Sequence, residues 1–306
     1  MDYRIEERRI PSSDGLHTLS GKVYIPNGEI RGIFHLVHGM TEYIDRFEKT
    51  MSTVARAGFV CFGYDNLGHG KTVLNDDELG FIAKKDGWKF LVRDVKHFSD
   101  SLRNEFPDLP VILMGHSMGS FIARLAAENY GNNIDKLIIC GTGGPNPAAP
   151  FGLLLTDVLK LLKGGKGYSA LAQNAAFGTY NRRFEGRTKF DWLTKDAAVV
   201  DKYIDDKYCN FPFTVSGLHD LVKLNIACNR TGWYKNLRVD LPILLISGAD
   251  DPVGDYGKGV EKVYETLVSS GHMNVRMKLY ENCRHEIHND TCADEVLTDI
   301  LSFITA

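Results

Sequence analysis

Short apolar runs, each leading into glycine or polar residues, alternate along this chain with longer segments of helical period. That is the pattern of a mainly parallel sheet wrapped by helices. Eight strands are predicted: Tyr3 to Ile10, His17 to Ile25, Gly32 to Val37, Val60 to Tyr64, Val111 to Met114, Lys136 to Cys140, Ile243 to Ser247 and Val275 to Tyr280. The first two, joined through the turn signal Asp14-Gly15, read as an antiparallel pair at an edge. The other six read as buried strands of the core. Pro110 and Pro242 stand just before two of these runs, where a missing amide donor costs little. Leu91, Val95, Phe98 and Leu102 recur at helical spacing, as do Val260, Val263 and Leu267, so both segments are predicted to pack a helix on the sheet. Ala293 to Ile304 places Val296, Ile300 and Phe303 on one face of a closing helix.

From about Gly144 to Val239 the rhythm breaks into short helical patterns, aromatics and glycines. The division that follows is a core of residues 1–143 and 240–306 with an inserted helical cap at 144–239, after the sixth strand. Such an insertion emerges at the end of the sheet where open α/β folds bind ligands, so a lid over the site is expected. Within it Phe151, Leu153, Leu154, Leu155, Val158, Leu159, Leu161 and Leu162 form a segment more apolar than one packing face needs. Two readings stand: both faces buried between cap and sheet, or part of the surface lining an acyl tunnel or touching a lipid aggregate.

Composition narrows the classes. The chain has 306 residues, 43% hydrophobic and 25% charged, as in an ordinary globular protein with a large core. A net charge of -3 supplies no broad basic field, so nucleic acid is not an expected partner. No stretch approaches the roughly 18 apolar residues of a membrane-spanning helix, and the first nine residues lack the apolar run of a signal peptide. The six cysteines show no paired short spacing of a zinc site, and read as buried free thiols in a reducing cytoplasm. No metal and no cofactor are expected.

The strongest chemical signal is the strand Val111 to Met114 followed by Gly115-His116-Ser117-Met118-Gly119 and then Phe121, Leu125 and Ala126 in helical register. Flanking glycines let the backbone turn sharply and lift the serine hydroxyl out at the head of a helix. A serine hydroxyl is a poor nucleophile at neutral pH and needs an imidazole to take its proton and return it to the leaving group. His285, just beyond the last strand in Asn282-Cys283-Arg284-His285-Glu286, is the favoured base. His288 reads as a surface or helix-capping residue. An acid must fix the tautomer of the base, and in this order of elements it lies between serine and histidine. The loop Gly248-Ala249-Asp250-Asp251-Pro252-Val253 offers two carboxylates. Asp251 is favoured, and Asp250 reads as a turn former or solvated loop residue. Acyl transfer also needs two amides aimed at an oxyanion. The Met118 amide and, in the loop His38-Gly39-Met40-Thr41-Glu42, the Met40 amide are the candidates.

Taken together, the His-Gly loop, Asp65-Asn66-Leu67-Gly68-His69-Gly70, Gly115-His116-Ser117-Met118-Gly119, Gly248-Ala249-Asp250-Asp251 and Arg284-His285-Glu286 resemble, over nearly the whole chain, the monoacylglycerol lipase and lysophospholipase branch of the α/β hydrolases. This branch is also known as the serine aminopeptidase-like family. The resemblance implies an α/β-hydrolase fold with an eight-stranded, mostly parallel sheet. It also implies a catalytic set of Ser117, Asp251 and His285 with oxyanion amides at Met40 and Met118, because the family's acid lies three residues after the loop glycine, here Gly248. Departures are Met40, where many relatives have a small residue, and Thr72, where many have serine. Phe190-Asp191-Trp192-Leu193 and Phe211-Pro212-Phe213-Thr214 look more like bacterial lysophospholipase-like members than the animal lipase. The implied activity is hydrolysis of lipid-like monoesters through an acyl-enzyme, with transient contact between cap and lipid aggregates. A serine aminopeptidase or amidase, and a hydrolase-fold binding protein without turnover, are the alternatives.

Overall fold

The computed structural model describes residues 2–306. Eight strands form one sheet: β1 (Tyr3–Pro11), β2 (Thr18–Pro26), β3 (Gly32–Val37), β4 (Phe59–Tyr64), β5 (Val111–His116), β6 (Lys136–Cys140), β7 (Ile243–Gly248) and β8 (Val275–Tyr280). Their spatial order is β1-β2-β4-β3-β5-β6-β7-β8. The β1–β2 and β2–β4 pairs are antiparallel, and every other neighbouring pair is parallel. Strands β3 to β7 are buried almost end to end because helices cover both faces, which is why their sequences read as continuous apolar runs. The strand Val275–Tyr280, read as buried core, is instead the second edge: Arg276 is exposed and four other positions are only partly covered. A strand alternating Val, Met and Leu with charged residues has one face to bury, and that suits an edge.

The helices are α1 (Glu48–Arg56), α2 (Gly87–Glu105), α3 (Met118–Tyr130), α4 (Ala149–Lys163), α5 (Ala170–Phe177), α6 (Ala197–Asp205), α7 (Val215–Asn229), α8 (Lys258–Ser269) and α9 (Ala293–Thr305). Met51 and Val54 of α1 and Val296 and Ile300 of α9 pack on one face of the sheet. Leu91 and Phe98 of α2, Ile122 of α3 and Val260 of α8 pack on the other. The period-3.6 positions expected from the sequence on α2, α8 and α9 are the buried ones.

Helices α4 to α7 all fall between β6 and β7. Leu218, Leu224 and Cys228 of α7 are buried in the same apolar cluster as the sheet residues. The fully buried Arg124 of α3 donates to the Cys228 carbonyl and to Asn229 Oδ1 at the end of α7, with its guanidinium 4.2 Å from the Trp233 ring centre. Helix α4 is not buried all round. Phe151 (75% exposed), Leu154 (64%), Leu161 (89%) and Leu162 (75%) face outward, so the reading of that segment as core on both faces does not hold. Four cysteines, Cys61, Cys140, Cys209 and Cys228, are buried free thiols as expected. Cys283 and Cys292 are instead joined, their Cα atoms 6.5 Å apart across a tight loop whose closure the nine-residue spacing does not announce. Among the described residues, no helix is long and apolar enough to cross a membrane.

Asp220 on α7 is buried against the start of α2. Burial pushes its carboxyl up to about 7 even though the amides of Trp88 and Gly87 donate to it. A folded value above the ordinary 3.8 means that the folded chain binds this proton more tightly, so stability falls as pH rises from about 4 to 7. Asp220→Asn, which keeps an acceptor for the amides, is expected to raise Tm by several degrees at pH 8 and by less than a degree near pH 3.5, below the ordinary value of the carboxyl. Thermal scans across that range check it; a pH-independent difference would assign the effect to packing instead.

Candidate active site

β5 runs directly into α3, and Ser117 is the single residue at the bend, with φ 54° and ψ −122°. A non-glycine residue there costs about 1–3 kcal/mol and persists only where its surroundings fix it. The Ser117 amide donates to the Cys140 carbonyl at 3.0 Å, and both flanking glycines are obligatory. A Cβ on Gly115 would overlap the Gly119 carbonyl, and one on Gly119 would overlap the Val37 and His38 carbonyls. The bend therefore brings α3, β3 and β5 too close together for any side chain at these positions.

The loops after β7 and β8 carry Asp251 and His285 to this bend. Ser117 Oγ lies 2.8 Å from His285 Nε2, and His285 Nδ1 lies 2.9 Å from Asp251 Oδ2. A carboxylate only accepts, so the tautomer compatible with it carries the proton on Nδ1 and leaves Nε2 to accept from the serine. Asp251 is wholly buried and aimed by two further donors, Ser247 Oγ at 3.2 Å and the Val253 amide at 2.8 Å. Asp250 is partly exposed, and its amide donates to the Cys283 carbonyl. The arrangement is able to draw the proton from Ser117 and hold the resulting imidazolium beside a carboxylate.

Because β3 and β5 are neighbours, the loop after β3 lies across the start of α3. Among the described residues no group accepts from the amides of Met40 or Met118, which leaves both free to donate to a developing oxyanion. The loop is closed from within: Glu42 Oε1 accepts from the Gly39 amide and faces His116 Nδ1 at 2.8 Å. Burial pulls His116 down, but the charge and hydrogen bond of Glu42 outweigh it and the net shift is upward. Glu42 responds in the opposite sense, held well below the ordinary carboxylate range despite its burial. His116 Nε2 lies 3.3 Å from the His285 carbonyl, so this ion pair bridges the β3 loop to the histidine loop.

His288, expected at the surface or at a helix cap, is instead buried beside this pair and stacked on Phe47, ring centres 4.2 Å apart. Burial, reinforced by His116, drives it well below its ordinary value, so it is neutral. Three-residue spacing from His285 carries no signal for that position. Glu42, His116 and His288 form the one group among the described residues whose ligand atoms, all within 4.8 Å, could converge on a metal ion. Glu42 Oε1 is already shared between an amide and an imidazole, and the Arg46 guanidinium is close by. The donor set is that of a buried ion pair.

A cavity of about 380 Å³ opens from Ser117, His285 and Met40, bounded mainly by Phe121, Leu155, Tyr180, Trp192, Leu218 and Val222. The Trp192 ring lies over His285, centres 5.2 Å apart, and the Trp192 and Leu193 carbonyls accept from the amides of His285 and Glu286. These contributions from the β6–β7 segment, like Ser247 beneath Asp251, follow no local motif and were not legible in the sequence.

An eight-stranded, mostly parallel sheet with a strained serine at a strand–helix bend, an acid after β7 and a histidine after β8 defines an α/β hydrolase. The chain belongs to the hydrolase family described as serine aminopeptidase S33, whose profile matches residues 28–292. It is similar to human monoglyceride lipase, 26% identical over 284 residues, 91% of this chain and 83% of the relative. The monoacylglycerol lipase of Mycolicibacterium smegmatis is 22% identical over 93% of this chain and 91% of its own. Among solved structures, a thermostable carboxyl esterase from Bacillus coagulans in complex with glycerol matches with a TM-score of 0.93 and 34% identity, covering 98% of each chain.

Asp251 is buried, triply hydrogen-bonded and in contact with His285, whereas Asp250 is not. Asp251→Asn is therefore expected to slow phosphonylation of Ser117 by a fluorophosphonate probe by about 10³-fold or more, because an amide stabilises the wrong imidazole tautomer. Asp250→Asn should stay within about threefold of wild type. A reversed ranking in labelling rates would move the acid to Asp250.

Proposed function

We propose that the protein is a carboxylic ester hydrolase acting on lipid-like monoesters, of the monoacylglycerol or lysophospholipid kind, through an acyl-enzyme on Ser117. The observation that carries this reading is the unbroken hydrogen-bond chain from Ser117 to His285 to Asp251, opening onto a largely apolar cavity. Ser117 Oγ attacks the ester carbonyl as His285 Nε2 takes its proton, and the amides of Met40 and Met118 receive the oxyanion, each worth about 3 kcal/mol in the transition state. The intermediate collapses as His285 returns the proton to the leaving alcohol. Water then repeats the sequence, with His285 again as base, to release the acid. No step calls for a metal or cofactor.

In this reading residues 144–239 act as the cap, roofing the cavity with α4, α5 and α7 while the outward side chains of α4 meet the lipid aggregate that holds the substrate. The names of the relatives, monoglyceride lipase and carboxyl esterase, point the same way. An aminopeptidase would need a free carboxylate for the substrate's ammonium group. The acidic residues lining the cavity are Glu42 and Glu286, and these are paired with His116 and Arg46.

Ser117→Ala is expected to abolish both ester turnover and fluorophosphonate labelling while leaving Tm within a few degrees. Full turnover in the folded variant would refute the assignment. Each methylene buried from water is worth about 0.8 kcal/mol, so kcat/KM should rise from acetyl to octanoyl esters, measured below the micelle threshold, until the cavity is filled. Leu155→Asp, inside the cavity, should flatten that rise. Leu154→Asp, on the outer face, should leave it intact and lower the rate only on liposome-borne substrate. A preference for acetyl over octanoyl esters would contradict the lipid reading.

A further inference from the structure

Beside the Met40 amide stands a residue whose conformation calls for an explanation. Thr41 is β-branched, buried and held at φ 52°, in the left-handed region that such side chains rarely enter. A strained residue of this kind relaxes unless the surrounding structure over-determines it. Two hydrogen bonds do so here. Thr41 Oγ1 donates to the Met40 carbonyl at 2.8 Å, which spends its only proton. The 2.6 Å contact between Thr41 Oγ1 and Tyr203 Oη is then donated by the tyrosine.

Tyr203 comes from α6, 162 positions further along the chain, and is itself fixed. Its ring packs against Phe190 at 5.0 Å and lies 4.9 Å from the Arg46 guanidinium, which is anchored by Glu286 in the histidine loop. Burial raises the phenol far above its ordinary range, so the hydroxyl remains a donor throughout the working pH range.

We propose that the Tyr203 hydroxyl is a positioning group for the oxyanion site: through Thr41 it locks the Met40–Thr41 peptide in a strained turn and so aims the Met40 amide. The inference rests on the reading of Met40 and Met118 as oxyanion donors. Tyr203 and Thr41 both border the cavity, but the Tyr203 hydroxyl is spent on Thr41 Oγ1, so removing that hydroxyl affects the transition state and spares ground-state binding. Misplacing a group by about 1 Å costs up to about 10²-fold, and a relaxed turn shifts the amide by less than that.

The test is a mutant cycle read in kcat and KM with p-nitrophenyl butyrate, alongside fluorophosphonate labelling and Tm. Tyr203→Phe and Thr41→Val are each expected to lower kcat about tenfold with KM within twofold. The double variant should be no worse than Thr41→Val alone, because the two hydroxyls act in series. In a Thr41→Gly background, where the left-handed conformation carries no penalty, the effect of Tyr203→Phe should shrink below twofold. Wild-type kcat in Tyr203→Phe, a loss expressed in KM, or an equal loss in the Thr41→Gly background would overturn the proposal. Should Tyr203→Phe not fold, Tyr203→Met, which also lacks the donor, is read by the same kcat criterion and in the same Thr41→Gly background. A wild-type protein that resists fluorophosphonate labelling would overturn the serine-hydrolase reading as well, whereas normal labelling with an unchanged Tyr203→Phe would overturn this inference alone.

Discussion

The 2.8 Å contact between Ser117 Oγ and His285 Nε2 joins loops 168 residues apart, and much of the molecule is organised to hold it. Neither partner lies in a regular element. Ser117 occupies a strained bend that the backbone would leave if β3, β5 and α3 did not close around it, and His285 rides on a loop beyond the edge strand β8. A hydrogen bond tolerates only a few tenths of an ångström of error. Its two ends must therefore be fixed independently, and the parallel sheet does this by delivering the loops after β3, β5, β7 and β8 to the same end.

Fixing the loops relative to one another falls to buried charge. Glu42 and His116 bridge the β3 loop to the backbone of His285, and Arg46 and Glu286 bridge the turn that precedes α1 to the histidine loop. Ion pairs this deep gain little net stability, since desolvation offsets most of the Coulomb attraction. They do penalise any arrangement in which one partner is moved away, because an unpaired charge would be left buried. That is a suitable property around a site whose geometry counts for more than its depth in free energy.

The β6–β7 segment is not merely draped over this arrangement. Its backbone carbonyls at Trp192 and Leu193 accept from the histidine loop, and the Arg284 guanidinium reaches back to the Asp191 and Thr194 carbonyls and to the Glu185 carboxylate. Tyr203 reaches the β3 loop. Helix α4 differs, turning Leu155 inward to the cavity and Leu154, Leu161 and Leu162 outward to solvent. One part of the segment thus supports the site, and another borders its mouth.

Much of this was readable without coordinates. Alternating apolar runs and helical periods identify a wrapped parallel sheet because a strand buried on both faces has no polar side to show. Gly115-His116-Ser117-Met118-Gly119 marks the bend because no other residue fits where backbone meets backbone. The loops that carry Asp251 and His285 to Ser117 could be anticipated because parallel strands deliver them to one end of the sheet, while the preference for Asp251 over Asp250 rested on the family resemblance. What stayed hidden involved side chains that meet only after the chain has folded. The burial of His288 beside Phe47, the Cys283–Cys292 pair, the edge position of β8, the outward face of α4 and the reach of Tyr203 to Thr41 are products of long-range packing. Local sequence determines which backbone turns are possible and which faces are apolar; which distant residue fills a given gap or satisfies a given hydroxyl is decided by the tertiary structure, because contact and burial are properties of the assembled fold.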